Sequence, residues 1–225
     1  MTLPEPHLRW SLVVPVKAPG RAKSRLHPLA DATREALALA FAADAVAAAL
    51  RSPLVARVLV VTSDAGAART LAALGAVPVE DRPDEGIDAA VLLGAAAVRA
   101  DGGLPVAAMT GDLPALRTED LTAALGLAAT HPAAVVADAA GTGTTLLTAR
   151  DGRLRPHFGV GSAAAHVASG AVLLDPETLP APSLRRDVDT PADLAAAVHL
   201  GTGPRTTALL AALDEDLPHA AGGEG

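Results

Sequence analysis

Cysteine and tyrosine are absent from these 225 residues, and the aromatic side chains amount to one tryptophan and two phenylalanines. Without cysteine there can be no disulfide frame, thiol nucleophile or thiolate metal site, so any metal must be held by oxygen or imidazole. With so few rings there are no large aromatic stacking platforms, and the core must be built of Ala, Val and Leu, which suit close helix-on-sheet packing. No apolar run reaches the roughly 18 residues that would span a bilayer, and the first nine residues lack the basic-then-apolar order of an export signal. A soluble cytoplasmic protein without a membrane partner is therefore expected. Positive charge is scarce as well: 18 Lys and Arg stand against 25 Asp and Glu, a net charge of -7. That balance opposes a nucleic-acid partner, whose phosphate backbone usually calls for a basic face.

Lysine itself is nearly missing. Lys17 and Lys23 are the only two, and they share one short loop. Arg serves every other basic position, so two compact ammonium groups placed together suggest a loop that meets phosphate oxygens.

The length suits one hydrophobic core, and no linker rich in Gly, Pro or Ser divides it, so residues 1–214 are expected to form a single domain and 215–225 a disordered tail. Apolar β-type runs alternate with helical stretches, the pattern of an α/β protein with a parallel sheet. Strands are predicted at 10–16, 55–62, 76–79, 105–110 and 133–138, then from a Gly-Thr-rich turn at 141–144 through Ala149, and at 171–174. Helices are predicted at 31–51, capped by Asp31, and at 64–74, 86–100, 118–130, 163–168, 191–200 and 206–213. The stretch 151–162 reads as an irregular loop.

Four constellations, the last made of two segments, carry the chemistry. In VVPVKAPGRAKSRL (13–26) a buried strand delivers Lys17, Gly20, Arg21, Lys23, Ser24 and Arg25 at its carboxyl end, where open α/β sheets bind ligands. Lys23 followed by Ser24 resembles a P-loop only superficially, because the glycines that loop needs are missing. In MTGDLPAL (109–116) a strand of small residues presents Asp112 at its end. A hard cation such as Mg²⁺ is typically held by one or two carboxylates together with substrate phosphates, so Asp112 is the leading metal candidate, with turn capping as its structural alternative. In RRDVDTPADL (185–194), Asp187 and Asp189 alternate along an extended segment and point the same way if it is strand-like. Asp189 or Thr190 can equally be the cap of the helix at Pro191. DAAGTGTTLL (138–147) and HFGVGSAAAH (157–166) set glycines beside hydroxyls, with Ser162 at a helix start suited to an anion. GVGSAA also fits a loose dinucleotide fingerprint, but no buried strand precedes it. His157 and His166 are read as surface or packing residues.

Five of these strings, VPVK with AKSRL, GDLPAL, GTGTTLL, FGVGS with a following histidine, and DVDTPADL, occur in an order that resembles the guanylyltransferases activating 2-phospho-L-lactate or phosphoenolpyruvate for the deazaflavin coenzyme factor 420. The resemblance runs from about Ser11 to Leu200. It implies a three-layer, glycosyltransferase-A-like nucleotidyltransferase fold with a seven-stranded, mostly parallel sheet and one reversed strand. It implies that Lys17 and Lys23 contact GTP phosphates, with Arg25 and Gly86 alongside the nucleotide, and that Asp112, Asp187 and Asp189 bind Mg²⁺. Thr144, Gly159 and Ser162 would hold the carboxylate and phosphate of a small phosphorylated acid. Thr145 and Asp88 depart from the Asn expected at both positions in archaeal members, and the Ala- and Arg-rich composition is more similar to actinobacterial ones, for which phosphoenolpyruvate is the expected acceptor. A homodimer is compatible with this reading. The alternatives are a nucleotidyltransferase acting on a molybdenum cofactor or sugar phosphate, and a non-catalytic nucleotide-binding regulatory module.

Overall fold

The structure is a computed structural model that describes residues 8–17, 30–102 and 105–216. Seven strands, β1 (Trp10–Pro15), β2 (Val55–Thr62), β3 (Val77–Glu80), β4 (Val106–Met109), β5 (Ala133–Ala137), β6 (Thr144–Ala149) and β7 (Val172–Leu173), form one sheet in the order β3-β2-β1-β4-β6-β5-β7. β6 alone runs against the rest, pairing antiparallel with both β4 and β5. Its reversal follows from the tight turn at 138–143, which returns the chain directly beside β5, whereas parallel neighbours need a crossover.

The central strands are buried on both faces, as a three-layer arrangement requires. Leu12 and Val14 of β1 face one core with Ala107, Met109 and Val136, covered by α1 (Asp31–Leu50), α2 (Ala65–Ala72) and α4 (Thr118–Ala128). Val13 faces a second core with Leu59, Val61, Ala108 and Val135 under α3 (Ile87–Ala100). Small residues set how close the layers come. A Cβ added to Gly94 of α3 would stand 2.4 Å from Val13 Cγ1 and 2.9 Å from Val61 Cγ2, so the helix rests on β1 and β2 through bare backbone.

A third cluster packs Leu37 and Phe41 of α1 against Ala115, Val188 and Ala197, the last on α7 (Pro191–Leu200). α8 (Pro204–Asp216) docks on the same side of α1, where the buried carboxylate of Asp44 accepts the backbone N–H groups of Arg205 (3.2 Å) and Thr206 (2.8 Å) at its start. No helix among the described residues is long and apolar enough to cross a membrane.

Several local expectations need correction. The cap of α1 is Ala30, which makes no side-chain bond; Asp31 is the first helical residue, where its charge favours the helix N-terminus and pairs with Arg34. α8 begins at Pro204 and continues at least to Asp216, the last described residue, past the expected end at 213. A four-residue helix, α6 (Pro182–Arg185), was not anticipated. It is preceded by Ala181 at φ 37° and held by Asp120 of α4, whose carboxylate accepts both the N–H (3.0 Å) and the hydroxyl (2.7 Å) of Ser183. Residues 186–189 belong to no strand.

Candidate active site

Two adjacent parallel strands end at one place. β1 leads through Val16, whose N–H donates to Val61 O (2.9 Å), to the exposed Lys17. β4 leads through Thr110, whose N–H donates to Thr145 O (3.0 Å), to Gly111 and Asp112. A Cβ on Gly111 would meet Pro15 O, Val14 Cγ1 and Val16 Cγ2, each at 3.4 Å, so its bareness lets the two strand ends sit side by side. Beyond Asp112 the chain is anchored by the buried Leu113, and Leu116 N–H closes the turn on Leu113 O (3.1 Å).

The second acidic segment is fastened to the first by backbone. Val188 N–H donates to Asp112 O (3.1 Å). Val188 itself is buried in the α1–α7 cluster, with the half-buried Asp187 and the exposed Asp189 on either side of it in the chain. Arg185 positions this segment from below. The residue is 6% exposed, and its guanidinium donates from Nε to Pro180 O (3.0 Å), from Nη1 to Ala137 O (3.0 Å), and from Nη2 to Leu174 O (2.9 Å) and Leu179 O (3.1 Å). Burial lowers its pKa and Asp175 opposes that effect.

The result is a concentration of negative charge. Asp187 is pushed up to about 7, first by burial and then by Asp112, Asp189 and Asp138. Asp138 was not among the expected site residues. Its carboxylate accepts the N–H of Thr142 (2.9 Å) in the turn between β5 and β6, and a Cβ on Gly143 would lie 2.3 Å from its Oδ2. The capping alternative for Asp189 does not hold. The α7 cap is Thr190, whose hydroxyl accepts the N–H of Asp193 (3.2 Å) while the Asp193 carboxylate accepts the N–H of Thr190 (2.9 Å).

Asp112 and Asp189 line one cavity of about 540 Å³ with Lys17, Thr110, Gly86 and Ile87. Asp81 and Asp84, which sequence reasoning missed, line it too, and burial followed by the charge of Asp84 raises the pKa of Asp81. Lys23 and Arg25 lie outside the described residues. Among the described residues no group of three or more carboxylates or imidazoles is gathered closely enough to hold a metal ion. The three aspartates therefore share an electrostatic field without forming a closed cage. Mutual repulsion keeps like charges apart, and Mg²⁺ usually takes one or two carboxylates and completes its shell with phosphate and water. An all-oxygen donor set with such crowding suits a hard divalent cation.

Thr144, Gly159 and Ser162 are not part of that cavity's lining. The Asp138 turn opens β6 just before Thr144, and Asp88 of α3, next in sequence to the cavity residue Ile87, accepts the N–H of Phe158 (2.9 Å) with its carboxylate. Gly159 has φ 134° and Gly161 φ 73°, the latter just ahead of α5 (Ser162–Ala168). The first amides of α5 are already engaged, Ser162 N–H with Gly159 O and Ala163 N–H with Thr142 O, both at 3.1 Å. The Ser162 hydroxyl donates to Thr144 Oγ1 (3.1 Å), and the buried His166 touches both this pair and the loop before it. A larger cavity of about 750 Å³, lined by Arg150, Arg153 and Arg155 among others, lies beside the far end of β6 and contains none of the expected site residues.

Residues 10–221 match the sequence profile of the family described as "Guanylyl transferase CofC like". The chain is 55% identical over 209 residues to a phosphoenolpyruvate guanylyltransferase of Streptomyces coelicolor, covering 92% of this chain and 98% of that one. It is 53% identical over 207 residues to a protein of the same name in Geodermatophilus obscurus, covering 89% and 94%. Among solved structures, one from Desulfovibrio desulfuricans G20, assigned provisionally to the nucleotide-diphospho-sugar transferases, superposes with a TM-score of 0.67 at 20% identity over 92% of this chain and 96% of that one. At that identity the likeness concerns the fold alone, which is that of the nucleotidyltransferases.

Proposed function

The chain belongs to the CofC-like guanylyl transferase family, and from that premise we propose that it transfers GMP from GTP to phosphoenolpyruvate, or to 2-phospho-L-lactate, and releases pyrophosphate. The observation that carries the site assignment is the meeting of Lys17, Asp112 and Asp189 around one cavity at the carboxyl ends of parallel strands, with Asp187 in the same acidic field. Cation-binding carboxylates facing an ammonium group are what two phosphorylated substrates need in order to approach each other.

In the reaction an oxygen of the acceptor's phosphate forms a bond to the α-phosphorus of GTP. The bond from that phosphorus to the α,β-bridging oxygen breaks, and the electron pair leaves with pyrophosphate. The attacking phosphate is already ionised at neutral pH, so no general base is required, and none of the histidines is needed as one. One or two carboxylates drawn from Asp112, Asp187 and Asp189 would hold Mg²⁺, which when bound supplies charge neutralisation between the two anions. Lys17, together with Lys23, offsets charge growing on the leaving pyrophosphate. Gly86, at φ 105° before α3, lines the same cavity and gives the nucleotide a bare backbone surface. Thr144, Gly159 and Ser162 orient the acceptor's carboxylate and phosphate.

The phosphoenolpyruvate preference is supported by the names of the relatives above, at half or more identical residues over nearly their full length. The test is incubation with GTP, Mg²⁺ and each acid in turn while pyrophosphate is measured. Release is expected with phosphoenolpyruvate, and the absence of release with every acid would remove the proposal.

A further inference from the structure

His166 takes no part in the transfer described above, yet it is wholly buried between the loop that carries Gly159 and the hydroxyls of Thr144 and Ser162. Its two ring nitrogens have different partners. Nε2 lies 2.8 Å from the backbone nitrogen of His157, which can only donate, so Nε2 carries no proton. Nδ1 lies 3.0 Å from Thr144 Oγ1. A ring accepting at both nitrogens would be an imidazolate, which water near neutral pH does not sustain, and a ring protonated at both could not accept from His157. The remaining form is the neutral tautomer with its proton on Nδ1, so the ring donates to Thr144 Oγ1.

Thr144 then has little choice. A hydroxyl oxygen offers two acceptor positions. One takes the Nδ1–H of His166 and the other takes the hydroxyl of Ser162, which donates at 3.1 Å. What Thr144 has left is its own hydrogen. We propose that His166 is a positioning residue that fixes Thr144 as an obligate hydrogen-bond donor, so that this hydroxyl favours an anionic oxygen of the acceptor and disfavours a group that would itself donate. This rests on the assignment of Thr144 to the acceptor.

The same ring holds the neighbouring loop. His157 N–H is bound by His166 and the next amide, Phe158 N–H, by Asp88 (2.9 Å), so two successive amides ahead of Gly159 are tied to different helices. The Phe158 and His166 rings also meet in a T-shaped contact, with centroids 5.1 Å apart and planes at 72°. A ring in this place thus sets both the polarity of one ligand group and the height of the loop beside it.

The test has two parts. Nitrogen-15 NMR of the unliganded protein reports the tautomer directly, and a ring protonated on Nδ1 and bare on Nε2 near neutral pH is expected. The opposite tautomer, or a doubly protonated ring, overturns the inference whether or not transfer occurs. Kinetics then compare H166L, which removes the donor, with H166N, whose amide can restore it. In H166L the KM for the acceptor should rise about tenfold or more while the KM for GTP stays within a factor of two, and H166N should recover most of the loss. Equal effects on both substrates, or an unchanged acceptor KM in a variant that melts as the parent does, would overturn it. Absence of transfer in the parent protein, with the Nδ1-protonated ring observed, would instead remove the functional reading and leave the hydroxyl's polarity standing.

Discussion

Replacing Arg185 by methionine should destabilise the protein by about 3 kcal/mol or more. Two large terms oppose each other. The guanidinium satisfies the carbonyls of Pro180, Ala137, Leu174 and Leu179, and hydrogen bonds from a charged donor contribute about 1.5–3 kcal/mol each. Against this, holding a cation at 6% exposure costs several kcal/mol of lost hydration, a cost that also appears in the lowered pKa. Four bonds outweigh one desolvation, and methionine fills a similar length without replacing any of them. Urea unfolding is the assay. With a slope of about 3 kcal/mol per molar for a chain of this size, the midpoint should fall by about 1 M. Because Asp187 follows two residues later, the variant should also bind Mn²⁺ more weakly in the presence of GTP. A midpoint within about 0.3 M of the parent, with Mn²⁺ binding unchanged, would refute the claim that Arg185 sets the position of the acidic segment.

Gly94→Ala places a methyl 2.4 Å from Val13 Cγ1 and should cost about 1–3 kcal/mol by overpacking, despite alanine's better helix propensity; calorimetry would show a lower Tm, and a higher one would contradict the close approach of α3. His166 supplies a pH-dependent prediction. Burial, and secondarily His157, lower its pKa from 6.5 to about 4 against the opposing charge of Asp88, so the unfolded chain binds the extra proton first as pH falls. The contribution is therefore full above about pH 6.5 and is lost as pH falls toward 4, about 2 kcal/mol between pH 7 and pH 5. Asp187, raised to about 7, acts with the opposite sign in that window, since the folded state binds its proton more readily and gains stability on acidification. The readout is accordingly the stability difference between parent and H166N, which should shrink by about 2 kcal/mol from pH 7 to pH 5 without added metal; a constant difference would refute it.

The alternation of apolar runs and helical stretches was enough to place the strands, because strands buried on both faces read as short continuous runs, as Val55–Thr62 does. Pro191 and its preceding threonine likewise marked the start of α7. The reversed strand came only from the family resemblance: nothing local in 144–149 says whether that strand will lie between β4 and β5. Within the site, the strand-end position of Asp112 was legible from GDLP. The roles of Arg185, Asp138 and His166 were not. A buried arginine is statistically unexpected, and a side chain that works by bonding backbone far away in sequence has no local pattern. Pro182 was the one signal for α6, at the first position of a helix too short to show periodicity. Thr144 and Ser162 meet hydroxyl to hydroxyl and Gly159 O accepts the Ser162 N–H, but no local pattern shows that Asp88 of α3 holds the loop beside them through Phe158 N–H.

The central claim is that GMP passes from GTP to the phosphate of the acid in a site built around Asp112. Its most direct test uses GTP labelled at the α-phosphorus, with phosphoenolpyruvate and Mg²⁺, and follows the label by chromatography. The expected result is label in a conjugate of GMP with the acid, unlabelled pyrophosphate, and a rate at least about a hundredfold lower in Asp112→Asn. Label that never reaches the acid, or an Asp112→Asn variant as fast as the parent, would contradict it.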